Sequence, residues 1–202
     1  MKPKTVLYIH GRGGRVEEAD HYRPLFPSYD VIGIEYTGDT PWEAGAEIRR
    51  AVIELNCGSI LLIANSIGAF FAMHADIGNY VEHAYFISPI VDMEKLITEM
   101  MSRAHVTESA LQKSGIICTD PGDVLSWKYL CYVREHPVCW NVPTDILYGS
   151  RDSLTSMETM AAFAHKIHAG LTVMDRGEHW FHTDAQMHFL DHWIQCRQKE
   201  SA

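Results

Sequence analysis

The stretch Ile60-Leu61-Leu62-Ile63-Ala64-Asn65-Ser66-Ile67-Gly68-Ala69 decides the fold. Its first half is a near-continuous apolar run of strand length, the pattern of a strand buried on both faces. Its second half turns at Asn65-Ser66 into a helix-length segment with Phe70 and Phe71. Small residues flank the serine at two positions before (Ala64) and two after (Gly68). A sharp strand-to-helix turn needs that spacing, because its central residue is strained and bulky neighbours collide. The turn lifts the Ser66 hydroxyl clear of the sheet and sets it at a helix N-terminus, where developing negative charge is stabilised.

Outward from this segment, short apolar runs alternate with helix-period segments. Val6 to Ile9, Tyr29 to Tyr36, Ser59 to Ala64, Val81 to Ile87, Thr144 to Tyr148 and Leu171 to Met174 read as strands. Thr40-Pro41-Trp42-Glu43 is a capping box with proline at the first helical position, and Ile48, Val52 and Leu55 follow on one face. Thr155 and Glu158 make a second such box, with Gly170 placed to stop that helix; Thr183 and Gln186 open the last helix. Alternation of this kind predicts an α/β fold with a parallel sheet covered by helices on both faces. The stretch Asp92 to Trp140 breaks it. No strand is expected there; an amphipathic helix with Met93, Ile97 and Met101 leads through a loop at Gly115 to Gly122 into a second helical segment from Val124 to Val133. It reads as a helical insertion lying over one end of the sheet.

Composition narrows the function classes. The chain of 202 residues has the length of one domain with a small insertion. Seventeen basic against 26 acidic residues give a formal charge of −9, which offers no broad attraction for nucleic acid or anionic lipid. No apolar run approaches the roughly 20 residues of a bilayer span. The odd count of five cysteines, with no C-x-x-C pair, argues against a disulfide framework or a zinc knuckle. The apolar stretch behind the basic start Met1-Lys2-Pro3-Lys4 is too short for a signal segment, so the expectation is a cytoplasmic protein with reduced thiols. Oligomeric state is not legible.

Two later strands end in polar candidates. Thr144 to Tyr148 runs into Gly149-Ser150-Arg151-Asp152, and Leu171 to Met174 into Asp175-Arg176-Gly177-Glu178-His179. Open α/β sheets build their sites at such strand ends. A hydroxyl nucleophile needs a base, and the base an orienting carboxylate. Ser66, Asp152 and His179 supply the three in that chain order. His182 rivals His179, and Asp145, Asp175 and Glu178 rival Asp152. The turn His10-Gly11-Arg12-Gly13-Gly14 lacks the lysine of a phosphate loop and does not match a dinucleotide turn. In an acyl-transfer reading the backbone amides of Arg12 and Ile67 form the oxyanion hole, with His10 holding the loop.

With these motifs the sequence resembles the α/β-hydrolase family, from Val6 to about Trp193. The resemblance rests on the His10-Gly11 turn, the elbow Asn65-Ser66-Ile67-Gly68, the acid loop ending in Asp152, and Gly177-Glu178-His179. It implies a six-stranded, mainly parallel sheet in the order 2-1-3-4-5-6, with the first strand standing where the family has its third. It places Asp92 to Trp140 where the family carries its cap. Ala64 stands where the common motif has glycine, as in some small bacterial lipases of the family. The implied activity is cleavage of small-molecule carboxylic esters by a serine hydrolase, with no metal or organic cofactor. A thioesterase or acyltransferase on the same triad, or a ligand-binding protein that kept the fold, are the alternatives. Met100, Met101, Trp127 and Trp180 are candidates to line an acyl pocket, although helical spacing equally suits burial of the insertion on the body.

Overall fold

The structure, a computed structural model, describes residues 4–119 and 123–200. The basic start Met1-Lys2-Pro3 and the last part of the expected loop, through Gly122, lie outside the described residues. The strands are β1 (Thr5–Ile9), β2 (Asp30–Gly33), β3 (Ile60–Asn65), β4 (Val81–Ile87), β5 (Ile116–Cys118), β6 (Val124–Ser126), β7 (Thr144–Gly149) and β8 (Gly170–Met174). The helices are α1 (Pro41–Glu54), α2 (Ile67–His74), α3 (Met93–Arg103), α4 (Glu108–Ser114), α5 (Trp127–Glu135), α6 (Met157–Lys166) and α7 (Asp184–Glu200). A 3-10 segment, Val16–Leu25, links β1 to β2.

Contacts divide the chain into a larger unit, residues 1–91 with 139–202, and an inserted unit, residues 92–138. The larger unit holds a wholly parallel sheet in the order β2-β1-β3-β4-β7-β8. Counting only its own six strands, that is 2-1-3-4-5-6. Both faces are covered, so β1 is buried throughout and β3, β4 and β7 are buried along most of their length. Val6, Tyr8, Ile63, Tyr85 and Leu147 face one side, where Tyr22 and Phe26 of the 3-10 segment meet Leu190, Trp193 and Ile194 of α7. The alternate residues Leu7, Ile9, Leu62 and Ala64, equally buried, face the other side, where α2 packs on β1 and β3 and α1 packs on α2.

The inserted unit contains α3, α4, α5 and an antiparallel ribbon of β5 with β6. Asp92, Thr107 and Ser126 cap the three helices through their side-chain oxygens. Arg134 of α5 pairs with Glu94 of α3 (2.7 Å) and forks onto Glu108 of α4 (2.8 and 2.9 Å).

Several local expectations are corrected. Val124 and Leu125 belong to β6, not to the helix that starts at Trp127, and α4 stands where no helix was expected. Three-residue strands leave too little alternation to read. Ser156, not Thr155, caps α6, accepting from the Thr159 amide at 3.2 Å. Gly170 does not stop that helix; His168 takes the left-handed turn at φ 55°, and Gly170 opens β8. The strand expected through Tyr36 is shorter, because the chain leaves the sheet after Ile34, whose amide still donates to the Tyr8 carbonyl. The last helix is opened as expected: the Gln186 amide donates to Thr183 Oγ1 and Gln186 Oε1 accepts from the Thr183 amide. The five cysteines are free thiols. No described helix is long and apolar enough to cross a membrane.

Ile63 is fully buried at the centre of β3, paired with Tyr8 and Tyr85. Ile63→Val is expected to cost about 1 kcal/mol and Ile63→Ala about 3 kcal/mol in urea unfolding, the second through the cavity it leaves. Equal costs for the two would contradict this packing.

Candidate active site

Ser66 connects β3 to α2 at φ 50° and ψ −121°. A non-glycine residue there is strained, by about 1–3 kcal/mol. Its neighbours hold it. The Ser66 amide donates to the Ile87 carbonyl of β4 (3.0 Å), and its own carbonyl accepts from the Ile90 and Ala69 amides (3.1 and 3.2 Å). A Cβ at position 68 would lie 2.2 Å from the His10 carbonyl oxygen and 2.9 Å from that of Ile9. Only glycine lets α2 start so close to the end of β1.

The serine hydroxyl lies 2.7 Å from His179 Nε2, and His179 Nδ1 lies 2.7 Å from Asp152 Oδ2. A carboxylate only accepts, so Nδ1 carries the proton and Nε2 is left to accept from Ser66. The Asp152 side chain is fully buried and that of His179 is 16% exposed. Asp152 Oδ1 is also satisfied, by the amides of Leu154 (2.8 Å) and Thr155 (3.1 Å). Beneath this turn, Tyr148 Oη donates to the Thr155 carbonyl (2.7 Å). Burial, reinforced by the charge of Asp152, pushes the Tyr148 hydroxyl above its ordinary pKa and keeps it a donor.

The acid and histidine loops are locked edge to edge. The Ser150 amide donates to the Met174 carbonyl (3.0 Å) and the Arg151 amide to the Gly177 carbonyl (2.8 Å). A Cβ at Gly149 would meet Gly177 backbone at 2.5 Å and the Glu178 carbonyl at 2.6 Å. This contact sets the spacing between Asp152 and His179.

The glycine turn after β1 borders the serine. A Cβ at Gly11 would lie 3.1 Å from Ser66 Cβ, and the Gly14 amide closes the turn on the Gly11 carbonyl (3.1 Å). Arg12 follows Gly11 in this turn, and Ile67 is the first residue of α2, so its N–H has no acceptor within the helix. His10 stands outside this chemistry: its ring stacks on Tyr36 (4.4 Å), and Tyr36 Oη donates to its carbonyl (2.7 Å).

Ser66 and His179 open on a cavity of about 720 Å³. Part of its lining is apolar, with Ile87, Phe181, Met187 and Leu190; Leu154 and Trp180 also line it. Trp180 is 72% exposed and stacks on His182. The described lining comes from the larger unit. Met100, Met101 and Trp127 stand in the inserted unit and are not part of it. Besides the turn from Gly11 to Gly14, which brings Arg12, and His182, the lining has a polar group whose place in the cavity the sequence did not mark: Tyr8, Glu18, His21, Tyr22 and Asn65. Tyr8 read as an ordinary buried strand residue, and the 3-10 segment bearing Glu18 has no apolar period to mark it.

The rival residues do not join the chain of Ser66, His179 and Asp152, although His182 lines the cavity. Asp145 pairs with His83 (2.9 Å), Asp175 and Glu178 are exposed, and His182 Nδ1 bonds to the Trp180 carbonyl (2.7 Å). Ser88, the residue after β4, is also buried. Of the other histidines, His165, His188 and His192 lie within helices and His168 just beyond one. Among the described residues no three His, Cys, Asp or Glu side chains are grouped to hold a metal ion.

Comparison with solved structures shows the α/β-hydrolase fold. Alpha/beta hydrolase domain-containing protein 10 from mouse superposes with a TM-score of 0.78 at 16% identity, covering 100% of this chain and 93% of that one. Est1E from Butyrivibrio proteoclasticus gives 0.76 at 15% identity, covering 98% and 88%. The thioesterase domain from the curacin biosynthetic pathway gives 0.62 at 16%, covering 95% and 91%. No protein-family model and no curated protein matches the chain.

Gly149→Ala tests the contact between the loops. Adding one methyl group against backbone is expected to cost at least about 2 kcal/mol in urea unfolding, well beyond an ordinary surface substitution. A cost below about 0.5 kcal/mol would contradict the close approach.

Proposed function

We propose that this protein is a serine hydrolase that cleaves carboxylic esters of small or medium acyl groups through an acyl-enzyme. The observation that carries the reading is the hydrogen-bonded chain from Ser66 Oγ through His179 to Asp152, 2.7 Å at each link, at a strained turn facing a cavity. The fold shared with esterases supports it.

Each group has one task. Ser66 Oγ attacks the ester carbonyl carbon as His179 Nε2 takes its proton. Asp152 holds the imidazole tautomer and stabilises the imidazolium. The amides of Arg12 and Ile67 bind the oxyanion, the second with the N-terminal dipole of α2 behind it. Collapse of the tetrahedral intermediate breaks the bond to the alcohol oxygen, which leaves with the proton from His179. Water then attacks the acyl-enzyme with His179 as base, freeing the acid and restoring Ser66. No step needs a metal or an organic cofactor. The apolar lining suits the acyl group, with Trp180 beside the base as a further contact.

Steady-state hydrolysis of a panel of short and medium acyl esters checks the reading. Ser66→Ala is expected to lower kcat by on the order of 10⁴-fold or more, and Asp152→Asn by about 10⁴-fold, as in Ser-His-Asp triads generally. Loss of only a few-fold in Ser66→Ala would sink the assignment. A matched thioester panel separates the thioesterase reading: thioester turnover far above that of the oxygen esters would move the function there.

A further inference from the structure

We infer that the polar wall of the cavity beside Ser66 recognises a hydroxyl group: the ester this site takes carries an uncharged arm ending in an alcohol that donates to Glu18. The inference rests on the reading of Ser66 as the reacting group and names the substrate class that reading leaves open.

The wall is rich in acceptors. Glu18 Oε2 accepts from Tyr8 Oη (2.5 Å), and Glu18 Oε1 from the Arg15 amide (3.2 Å). Each carboxylate oxygen has two lone-pair sites, so each keeps one to offer. Among the described residues no lysine or arginine pairs with Glu18, and the nearby His21 is engaged by Asp191 at 2.7 Å. Asn65 Nδ2 donates to Tyr8 Oη (2.9 Å), while Asn65 Oδ1 is buried with no donor among the described residues. Burial, with Tyr22 and Glu18 adding to it, holds the Tyr8 hydroxyl far above its ordinary pKa. Tyr8 therefore stays protonated and its proton stays committed to Glu18.

These facts decide among ligand types. Glu18 is exposed, and an arm that reaches it past Ile87, Met187 and Leu190 displaces part of the water on its carboxylate. An aliphatic or ether end gives nothing back and leaves that acceptor unsatisfied. A carboxylate or phosphate end meets like charge at Glu18, and Arg12, the cation on the cavity lining, already has a partner. A hydroxyl returns one charge-assisted hydrogen bond, the commodity the wall lacks. An ammonium needs acceptors for three protons and takes a full charge past the apolar lining, while Tyr8 and the Arg15 amide already blunt the field of Glu18.

The test is calorimetric titration of the full chain bearing Ser66→Ala, which binds without turnover. The probes are methyl esters of ω-hydroxy acids of increasing chain length, each beside its ω-methoxy and ω-amino counterparts. At the best chain length the hydroxy ester is expected to bind at least about tenfold more tightly than the methoxy ester, the scale of one hydrogen bond to a charged group. It should also outbind the amino ester. Adding Glu18→Gln should shrink the hydroxy-over-methoxy ratio to within about threefold. Tyr8→Phe, which keeps the carboxylate, should preserve the ratio and serves equally if Glu18→Gln does not fold. Equal affinities, a ratio untouched by Glu18→Gln, tighter binding of the amino ester, or no binding of any probe would each overturn the inference. Failure of the hydrolase reading shows separately, as wild-type protein that binds the hydroxy ester and does not cleave it.

Discussion

The backbone of Ser66, held at φ 50° between β3 and α2, is the constraint on which the rest of the site depends. Left alone, that conformation would relax. It persists because the hydrogen bond to Ile87 anchors one side of the residue and the close seat of Gly68 on the ends of β1 fixes the other. The strain is stored where it is useful: the hydroxyl stands clear of the sheet, and the first amide of α2 is left with no helical acceptor. The parallel order of the sheet then matters. It sets the C-terminal ends of β1, β3, β4, β7 and β8 along one edge, so a glycine turn, a serine, an acid and a histidine arrive from four different loops.

Precision at that edge comes from backbone contacts more than from side chains. The bonds from Ser150 and Arg151 to the β8 loop, and the approach of Gly149 to Gly177, fix where Asp152 and His179 can stand. Asp152 is then over-determined, with two amides on one oxygen and the imidazole on the other. A base oriented in this way loses little freedom when it accepts a proton, which is the preorganisation the proposed chemistry requires.

Much of this was legible in the sequence. Unbroken apolar runs such as Ile60 to Ala64 mark strands buried on both faces, and the small residues around Ser66 mark a tight turn, because both signals come from sterics local to the segment. What was not legible depends on distant contacts. Glu18 sits in a polar segment without periodicity, and only the fold sets its carboxylate against Tyr8, 10 residues earlier, and through Tyr8 against Asn65. The ribbon of β5 and β6 is too short to show alternation, and each strand is defined only by its partner. Thr155 has the sequence of a helix cap, yet tertiary demand diverts it to the Asp152 turn and Ser156 takes its place. Local chemistry offered two acceptable caps, and the acid loop decided between them.

The central claim, an activated serine at position 66, is tested most directly by treating the protein with a fluorophosphonate and reading the product by intact mass and peptide mapping, with Ser66→Ala alongside. The expected result is one stoichiometric adduct on the peptide bearing Ser66, absent from the variant. A folded protein that forms no adduct, or carries it elsewhere, would contradict the account.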